Sequence, residues 1–375
     1  MRKFFGLNFH TGLLIGCAIA AAIATAAAAY ERYDTKTLDR TIRRNAVFCG
    51  VNTGLPGFSS VDDSGTWSGF DVDFCRAIAA AIFNDPNKVK FVPLDAKERF
   101  VELSKRKVDV VARNSTWTIS REAEYGLHFA GVSYYDGQGF MVPKARGATS
   151  ALELVDTQVC VQSDTTTELN LGDYFRANNM AYHERKFGTV DEVFKAYASG
   201  QCDVLTADIS QLYAVRLKLP NPAEHEILPE VISREPLAPV VRHKDDDWLL
   251  IVKWTLFAMV NAEELGITSK NIDQALQSKK PDVMRFVGTE DDYGDELGLI
   301  KIGRFVAFGT WGTTAKFMNA TLVRGRSWAS REVSTSCGTR AASCTRHTSA
   351  SLRRRCTTGK CRTAQGHARL FYPHR

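Results

Sequence analysis

From residue 46 onward, short apolar runs alternate with stretches of helical spacing, the pattern of βαβ units built on a largely parallel sheet. Val47 to Asn52 reads as a strand that breaks at Thr53-Gly54-Leu55-Pro56-Gly57, where glycine and proline must turn the chain. In an open α/β sheet such a turn lies at the carboxyl end of its strand, where ligands bind. After it, Phe74, Ala77, Ile78, Ala81 and Ile82 recur at i, i+3, i+4, i+7 and i+8, which predicts a helix with Asp71 and Asp73 capping its positive end. A strand over 90–94, a helix over 96–105 and a strand over 108–112 follow. The last runs into Arg113-Asn114-Ser115-Thr116-Trp117-Thr118-Ile119-Ser120-Arg121, again polar residues after a strand end.

The plan starts afresh at Val159, with a strand to Gln162, a turn at Ser163-Asp164-Thr165-Thr166-Thr167 and a helix from about Glu168. Thr189 and Glu192 have the spacing of a capping box, Gly200 ends that helix, and the strand Cys202 to Ala207 delivers Asp208 to its tip. Two copies of one plan imply an α/β protein of two lobes. Gly139 to Pro143 and Ala238 to Arg242 are the expected crossings of a hinge between them. The division is then residues 30–138 plus 243–299 for one lobe and 139–242 for the other. A helix over 246–265 contains the apolar stretch Trp248 to Val260, interrupted by Lys253 and too short to span a bilayer.

Charge changes the picture at both ends. Arg2 and Lys3 precede an apolar, alanine-rich run from Leu13 to Ala29, the order expected of a secretory signal peptide over 1–29 with cleavage near Ala28 or Ala29. Leu14-Ile15-Gly16-Cys17 offers a weaker lipoprotein reading, because the apolar run continues past Cys17. The formal charge of +6 is unevenly spread: residues 301–375 hold 15 basic residues against the single acid Glu332. Without that tail, Arg2 and Lys3, the body has 31 basic and 41 acidic residues, so it lacks the electrostatic footprint of a nucleic-acid binder. The tail from about 300 is compositionally foreign. Its Cys337, Cys344, Cys356 and Cys361, with His347 and His367, match no familiar zinc spacing.

The strand-end residues carry the candidate chemistry. A zwitterionic amino acid needs a cation and N–H or O–H donors for its carboxylate, and an anion for its ammonium. Arg121 supplies the guanidinium fork, Asn114, Thr116, Thr118, Thr165 and Thr166 supply polar side chains, and Asp208 supplies the carboxylate. Each has an ordinary alternative: Arg121 as a surface partner of Glu122 or Glu124, the threonines and Asp208 as helix caps. The body shows no Cys/His metal spacing, nucleophile elbow or phosphate-cradling glycine loop, so binding without cofactor, metal or turnover is expected.

The segment GFDVDFCRAIAAAI (Gly69 to Ile82) resembles the signature of the family 3 solute-binding proteins that serve ABC importers. NTGLPGFS, RNSTWTISRE, YYDGQGFMVP, TTTELNLGDYF and WTLFAMVNAEELGI extend the likeness over about residues 40–300, toward the general L-amino-acid binders of that family. The resemblance implies a two-lobed periplasmic binding protein of type II fold, a monomer in the periplasm that hands an L-amino acid to an inner-membrane ABC permease complex. It also implies that the ligand carboxylate meets Arg121, Thr116 and Thr118 in one lobe and Ser163, Thr165 and Thr166 in the other, with Asp208 on the ammonium. Asp164 stands where the family usually has glycine. Asn52 leaves the side-chain pocket neutral, and Leu55 and Phe58 would line it. With export come possible disulfides, and pairing within lobes, Cys49 with Cys75 and Cys160 with Cys202, is compatible with hinge motion. Read one frame over, codons permitted for residues 301–317 give DWALRGIRNLGNYGEI, which resembles the family's C-terminal segment, so the tail is expected to be a frameshift product. The rivals are a dehydratase on the same fold, with Asp164 or Asp208 as general acid, and a sensor domain feeding a receptor.

Overall fold

A computed structural model describes residues 37–290, which lie within one compact unit of the chain. The signal-peptide reading of 1–29 and the tail reading of 300–375 fall outside the described residues. In chain order the first half comprises α1 (Thr37–Arg44), β1 (Val47–Asn52), β2 (Ser60–Val61), β3 (Trp67–Ser68), α2 (Phe70–Phe83), β4 (Val89–Leu94), α3 (Arg99–Ser104), β5 (Val110–Val111), α4 (Ile119–Tyr125), β6 (Leu127–Phe129) and β7 (Tyr134–Asp136). Then come β8 (Gln138–Pro143), β9 (Thr157–Gln162), α5 (Thr166–Ala177), β10 (Tyr182–Phe187), α6 (Val190–Ala198), β11 (Val204–Asp208), α7 (Ile209–Arg216), β12 (His225–Ile227), β13 (Glu235–Leu237), β14 (Val240–Arg242) and α8 (Asp246–Glu264).

Two five-stranded sheets share one plan, in the orders β4-β1-β5-β14-β6 and β10-β9-β11-β8-β12. Within each, three neighbouring strands pair in parallel, and a single reversed strand, β14 or β8, pairs antiparallel on both sides to complete the sheet. Parallel neighbours need a helical crossover, which explains why apolar runs alternate with helical spacing in the sequence. The strands next to the crossovers are buried on both faces, so β1, β9 and β11 read as nearly continuous apolar runs.

The chain crosses between the sheets earlier than Gly139 and Ala238. β7 and β13 form a separate antiparallel pair, Tyr134–Leu237 to Asp136–Glu235, standing between β6 and β8 on the way out and between β12 and β14 on the way back. The segment Gly139–Pro143 belongs to the interior of the second sheet, and Val240–Arg242 pairs with β5 and β6 in the first. Both segments are apolar because they are buried sheet strands, and a buried strand and a crossing strand look alike in a one-dimensional pattern.

The signature segment begins at Gly69, φ 128°, where a Cβ would stand 2.3 Å from the Phe58 carbonyl oxygen. Glycine lets the loop press onto the start of α2, whose first amides donate to the carbonyls of Gly57 and Phe58 at 2.9 Å. Asp71 and Asp73 therefore do not cap the helix. α2 is buried on nearly all sides, packed on β1 and α8, because alanines fill the face that the sequence leaves open to solvent. Trp248 anchors α8 with its ring fully buried and its Nε1–H donating to the Asp109 carbonyl at 3.0 Å. Among the described residues no helix is long and apolar enough to cross a membrane.

Both expected disulfides are present. Cys49–Cys75 staples β1 to α2, and Cys160–Cys202 joins β9 to the loop that leads into β11. Each bridge stays within the elements of one sheet. Cys160 and Cys202 are 42 residues apart, and closing a loop of that length in the unfolded chain is worth about 4 kcal/mol on a chain-entropy basis. The double substitution Cys160→Ala, Cys202→Ala is expected to lower unfolding free energy by about 2–4 kcal/mol in a urea titration.

Candidate functional site

The carboxyl ends of β1, β5, β9 and β11 converge on one crevice between the sheets. Asn52, Arg99, Arg113, Asn114, Thr116 and Arg121 line its first-sheet side. Gln162, Thr165, Thr166, Thr167, Asp208 and Gln211 line the other, with Val190, Val193, Phe194 and Leu205 adding an apolar floor. Arg121 and Asp208, on opposite sides in the sequence reading, share this crevice.

Arg121 sits in the first turn of α4, whose N-cap Thr118 accepts the Arg121 amide at 3.3 Å. Its Nη1 donates to the Thr116 carbonyl at 2.7 Å and its guanidinium lies 5.4 Å from the Phe100 ring centre. The fork is thus held from one edge. Asp208 ends β11 with its side chain 6% exposed, and no hydrogen bond from a described residue reaches its carboxylate, nor does it cap α7. Burial above all, then the negative charges of Asp136 and Glu235, raises its carboxyl well above the ordinary range, against the pull of Arg121 and Arg99.

Glu235, on the returning crossing strand, is the acid that sequence reasoning missed. Its Oε2 accepts from Thr116 Oγ1 at 2.5 Å and Thr166 Oγ1 at 2.9 Å, and its Oε1 accepts from Ser233 Oγ at 2.5 Å and Asn170 Nδ2 at 2.7 Å. Thr116 and Thr166, read as donors for a ligand, here spend their hydroxyl protons on this carboxylate. The pairing of β13 with β7, together with the bridge between Leu237 and Thr116, brings Glu235 to the crevice, contacts that no local pattern announces.

Other sequence candidates divide. Asn52 and Asn114 line the crevice and are joined, Nδ2 of Asn52 donating to Oδ1 of Asn114 at 2.9 Å. Thr165 lines it too while capping α5. Thr118 and Ser163 do not line it: Thr118 is a helix cap, and the Ser163 hydroxyl is directed at the Phe187 carbonyl at 3.3 Å and toward Asp164. Leu55 is fully buried in a cluster with Phe58, Ala214 and Leu237, behind the crevice rather than in it. Asp164 stands at φ 60° in the left-handed region and is exposed, with its amide donating to Glu168 Oε2 at 2.9 Å. Its charge faces solvent.

Asp71, instead of capping α2, accepts the Asn114 amide at 3.2 Å and so fixes the loop after β5. Burial drives its carboxyl up to about 7, partly offset by that hydrogen bond and by Arg113. Among the described residues no group of His, Cys, Asp and Glu is placed to hold a metal ion.

Facing strand ends on two sheets, with cations on one rim and a buried carboxylate on the other, define a binding protein that takes its ligand between lobes. The chain belongs to the bacterial extracellular solute-binding proteins, family 3, whose model matches residues 47–274. It is 53% identical over 287 residues to the general L-amino acid-binding periplasmic protein AapJ of Rhizobium johnstonii, covering 76% of this chain and 82% of that one. Identity is 48% over 283 residues to the glutamate/glutamine/aspartate/asparagine-binding protein BztA of Rhodobacter capsulatus, covering 75% and 82% of the two chains. Among solved structures, an ABC transporter periplasmic binding protein from Brucella ovis with glutathione bound superposes with TM-score 0.73 at 49% identity, over 78% of this chain and 92% of that one. An ancestral arginine-binding protein bound to arginine gives TM-score 0.52 at 26% identity, over 58% and 94%. The fold is that of the type II periplasmic binding proteins, and the family is one of solute-binding transport proteins.

Because the folded value of Asp71 lies above the ordinary 3.8, its contribution to stability is fullest below about pH 4 and is lost as pH rises through 7. Asp71→Asn keeps an acceptor oxygen for Asn114 but cannot ionise. Urea midpoints measured from pH 4 to 8 are expected to fall less steeply in the variant, which gains on the order of a few kcal/mol over the wild type at pH 8.

Proposed function

We propose that this protein is the periplasmic binding component of an ABC importer for L-amino acids, holding the zwitterion in the crevice between its two sheets and presenting it to a membrane permease. One observation carries the reading: Arg121, at the start of α4 on the first-sheet side, and Asp208, at the tip of β11 in the second sheet, line one crevice, each buried and not hydrogen-bonded to the other. A carboxylate can take the open edge of the Arg121 fork. The ammonium can take Asp208. Binding both ends of one small molecule lets the two sheets share its charges, so that ligand favours the closed arrangement by its differential contacts.

The lobes of this reading divide at the crossing strands β7 and β13, with residues 138–227 on the second sheet and β14 returned to the first. The family and the names of its relatives support the transport role. Export through the signal at 1–29, a monomeric state, and the absence of catalysis complete the proposal. The dehydratase alternative requires a general acid, and Asp208 is a buried acid with a raised pKa. It is set apart by recovering the ligand chemically unchanged after prolonged incubation with the protein.

Titration calorimetry of the purified protein against the twenty amino acids is expected to show one site per chain, and Arg121→Met or Asp208→Asn to weaken binding about a hundredfold or more. No heat with any amino acid would sink the proposal. An ammonium beside Asp208 favours its ionised form, so binding releases the proton that the raised pKa holds on it. Affinity is therefore expected to fall as pH is lowered, by up to ~tenfold per pH unit, with proton release seen by calorimetry in buffers of different ionisation heat and abolished in Asp208→Asn.

A further inference from the structure

The turn over residues 53–57, expected at a ligand-binding strand end, does not line the crevice, yet it is built as a rigid knob. The Leu55 carbonyl accepts the amides of Phe58 and Ser59 at 3.1 and 2.9 Å, and the Leu55 amide donates to the Ser59 carbonyl at 2.7 Å. The Gly54 amide donates to the Asn52 side chain at 3.3 Å, and α2 pins the carbonyls of Gly57 and Phe58. So fixed, the loop presents two apolar side chains, Leu55 and Phe58, that are 0% and 1% exposed. Neither belongs to the apolar clusters packed on the first sheet.

Their cluster draws on the other side of the molecule. Ala214, fully buried, and Tyr213 come from α7, which packs on the second sheet, and Leu237 and Tyr134 come from the crossing strands. Phe58 meets the Tyr134 ring edge-on at 5.5 Å and the Phe70 ring at 6.3 Å. Just beyond α7, Lys218 Nζ donates to the Gly54 carbonyl at 3.1 Å, a polar link between the same two bodies. This small core thus joins elements of both sheets around β7 and β13, the strands about which one sheet can swing against the other. A swing that draws the loop from α7 bares apolar surface to water, and burying it again favours the closed arrangement.

We propose that Leu55 and Phe58 are positioning residues that hold the two sheets together through α7, and so set the affinity of the crevice without touching its ligand. The closed, liganded form keeps their contact and an open, ligand-free form loses part of it. Weakening the contact therefore costs every ligand the same factor, whatever its side chain, because the loss lies in the protein's own equilibrium. Residues lining a side-chain pocket would instead discriminate among ligands. Where the ligand-free protein is mainly open the factor shows in full as affinity, and where it is mainly closed it shows first as a change of shape. Affinity as a readout rests on the amino-acid-binding reading of the crevice, whereas shape does not.

The test compares wild type, Leu55→Ala and Lys218→Met by calorimetry with alanine, leucine, glutamate and arginine, and by small-angle X-ray scattering with and without ligand. Leu55→Ala is expected to weaken all four ligands by one common factor, up to ~fourfold for each carbon removed from the contact. Lys218→Met, an exposed substitution that leaves the apolar cluster intact, is expected to weaken them by a common factor of roughly two to five, and it decides alone if Leu55→Ala does not fold. The ligand-free variants are expected to have a larger radius of gyration than ligand-free wild type, and the liganded proteins to share one value. An affinity loss that depends on the ligand's side chain overturns the inference and makes Leu55 part of a side-chain pocket. A variant that melts lower but changes neither affinity nor scattering also overturns it, because the cluster is then structural only. If no amino acid binds the wild type, the function proposed above falls, and unchanged ligand-free scattering then defeats this inference separately.

Discussion

A guanidinium carried out of water is expensive unless an anion meets it, and three of them line one crevice in this protein. The fold is arranged around that constraint. Parallel strands on two sheets end at the same gap, so residues at strand tips reach it without long loops, and rigid elements hold the charges in place. On the first-sheet side Arg113, just after β5, and Arg99 and Arg121, in the first turns of α3 and α4, bring cations, and β11 of the second sheet brings a buried carboxylate. Asp71, Asp95, Asp208 and Glu235 oppose part of that positive charge within the protein.

Much of the architecture is legible in the amino-acid order because it rests on local rules. β1 occupies Val47–Asn52 as its apolar run and the turn after it indicate, and the capping box of Thr189 and Glu192 forms with both reciprocal hydrogen bonds. Both cysteine pairs close where neighbouring elements of one sheet bring them together. What escapes is long-range. The true crossing strands, Tyr134–Asp136 and Glu235–Leu237, are three residues each and pair across about a hundred positions, so no periodicity distinguishes them from the buried strands beside them.

The site divides in the same way. Arg121 and Asp208 are found because each follows a strand and their chemistry is complementary. Arg99 is hidden by its setting in AKERF, where a helical pattern makes an arginine look like part of a solvated face. Arg113 begins a polar run that was visible, but position alone could not tell whether its side chain turned inward. Thr118, Ser163 and Leu55 show the opposite error. They neighbour the site in sequence, yet capping, a loop carbonyl and an apolar cluster claim their side chains.

The four-way grip on Glu235 has a mechanical side. Its carboxylate sits on a strand that belongs to neither sheet, and one oxygen is shared by a hydroxyl from each: Thr116, after β5, and Thr166, at the start of α5. Those two hydroxyl oxygens are themselves only 3.3 Å apart. Any rotation that parts the jaws must take at least one hydroxyl away from that oxygen. The clasp therefore gives the shut form a small bias that exists before cargo arrives, and it tunes how often an empty carrier gapes.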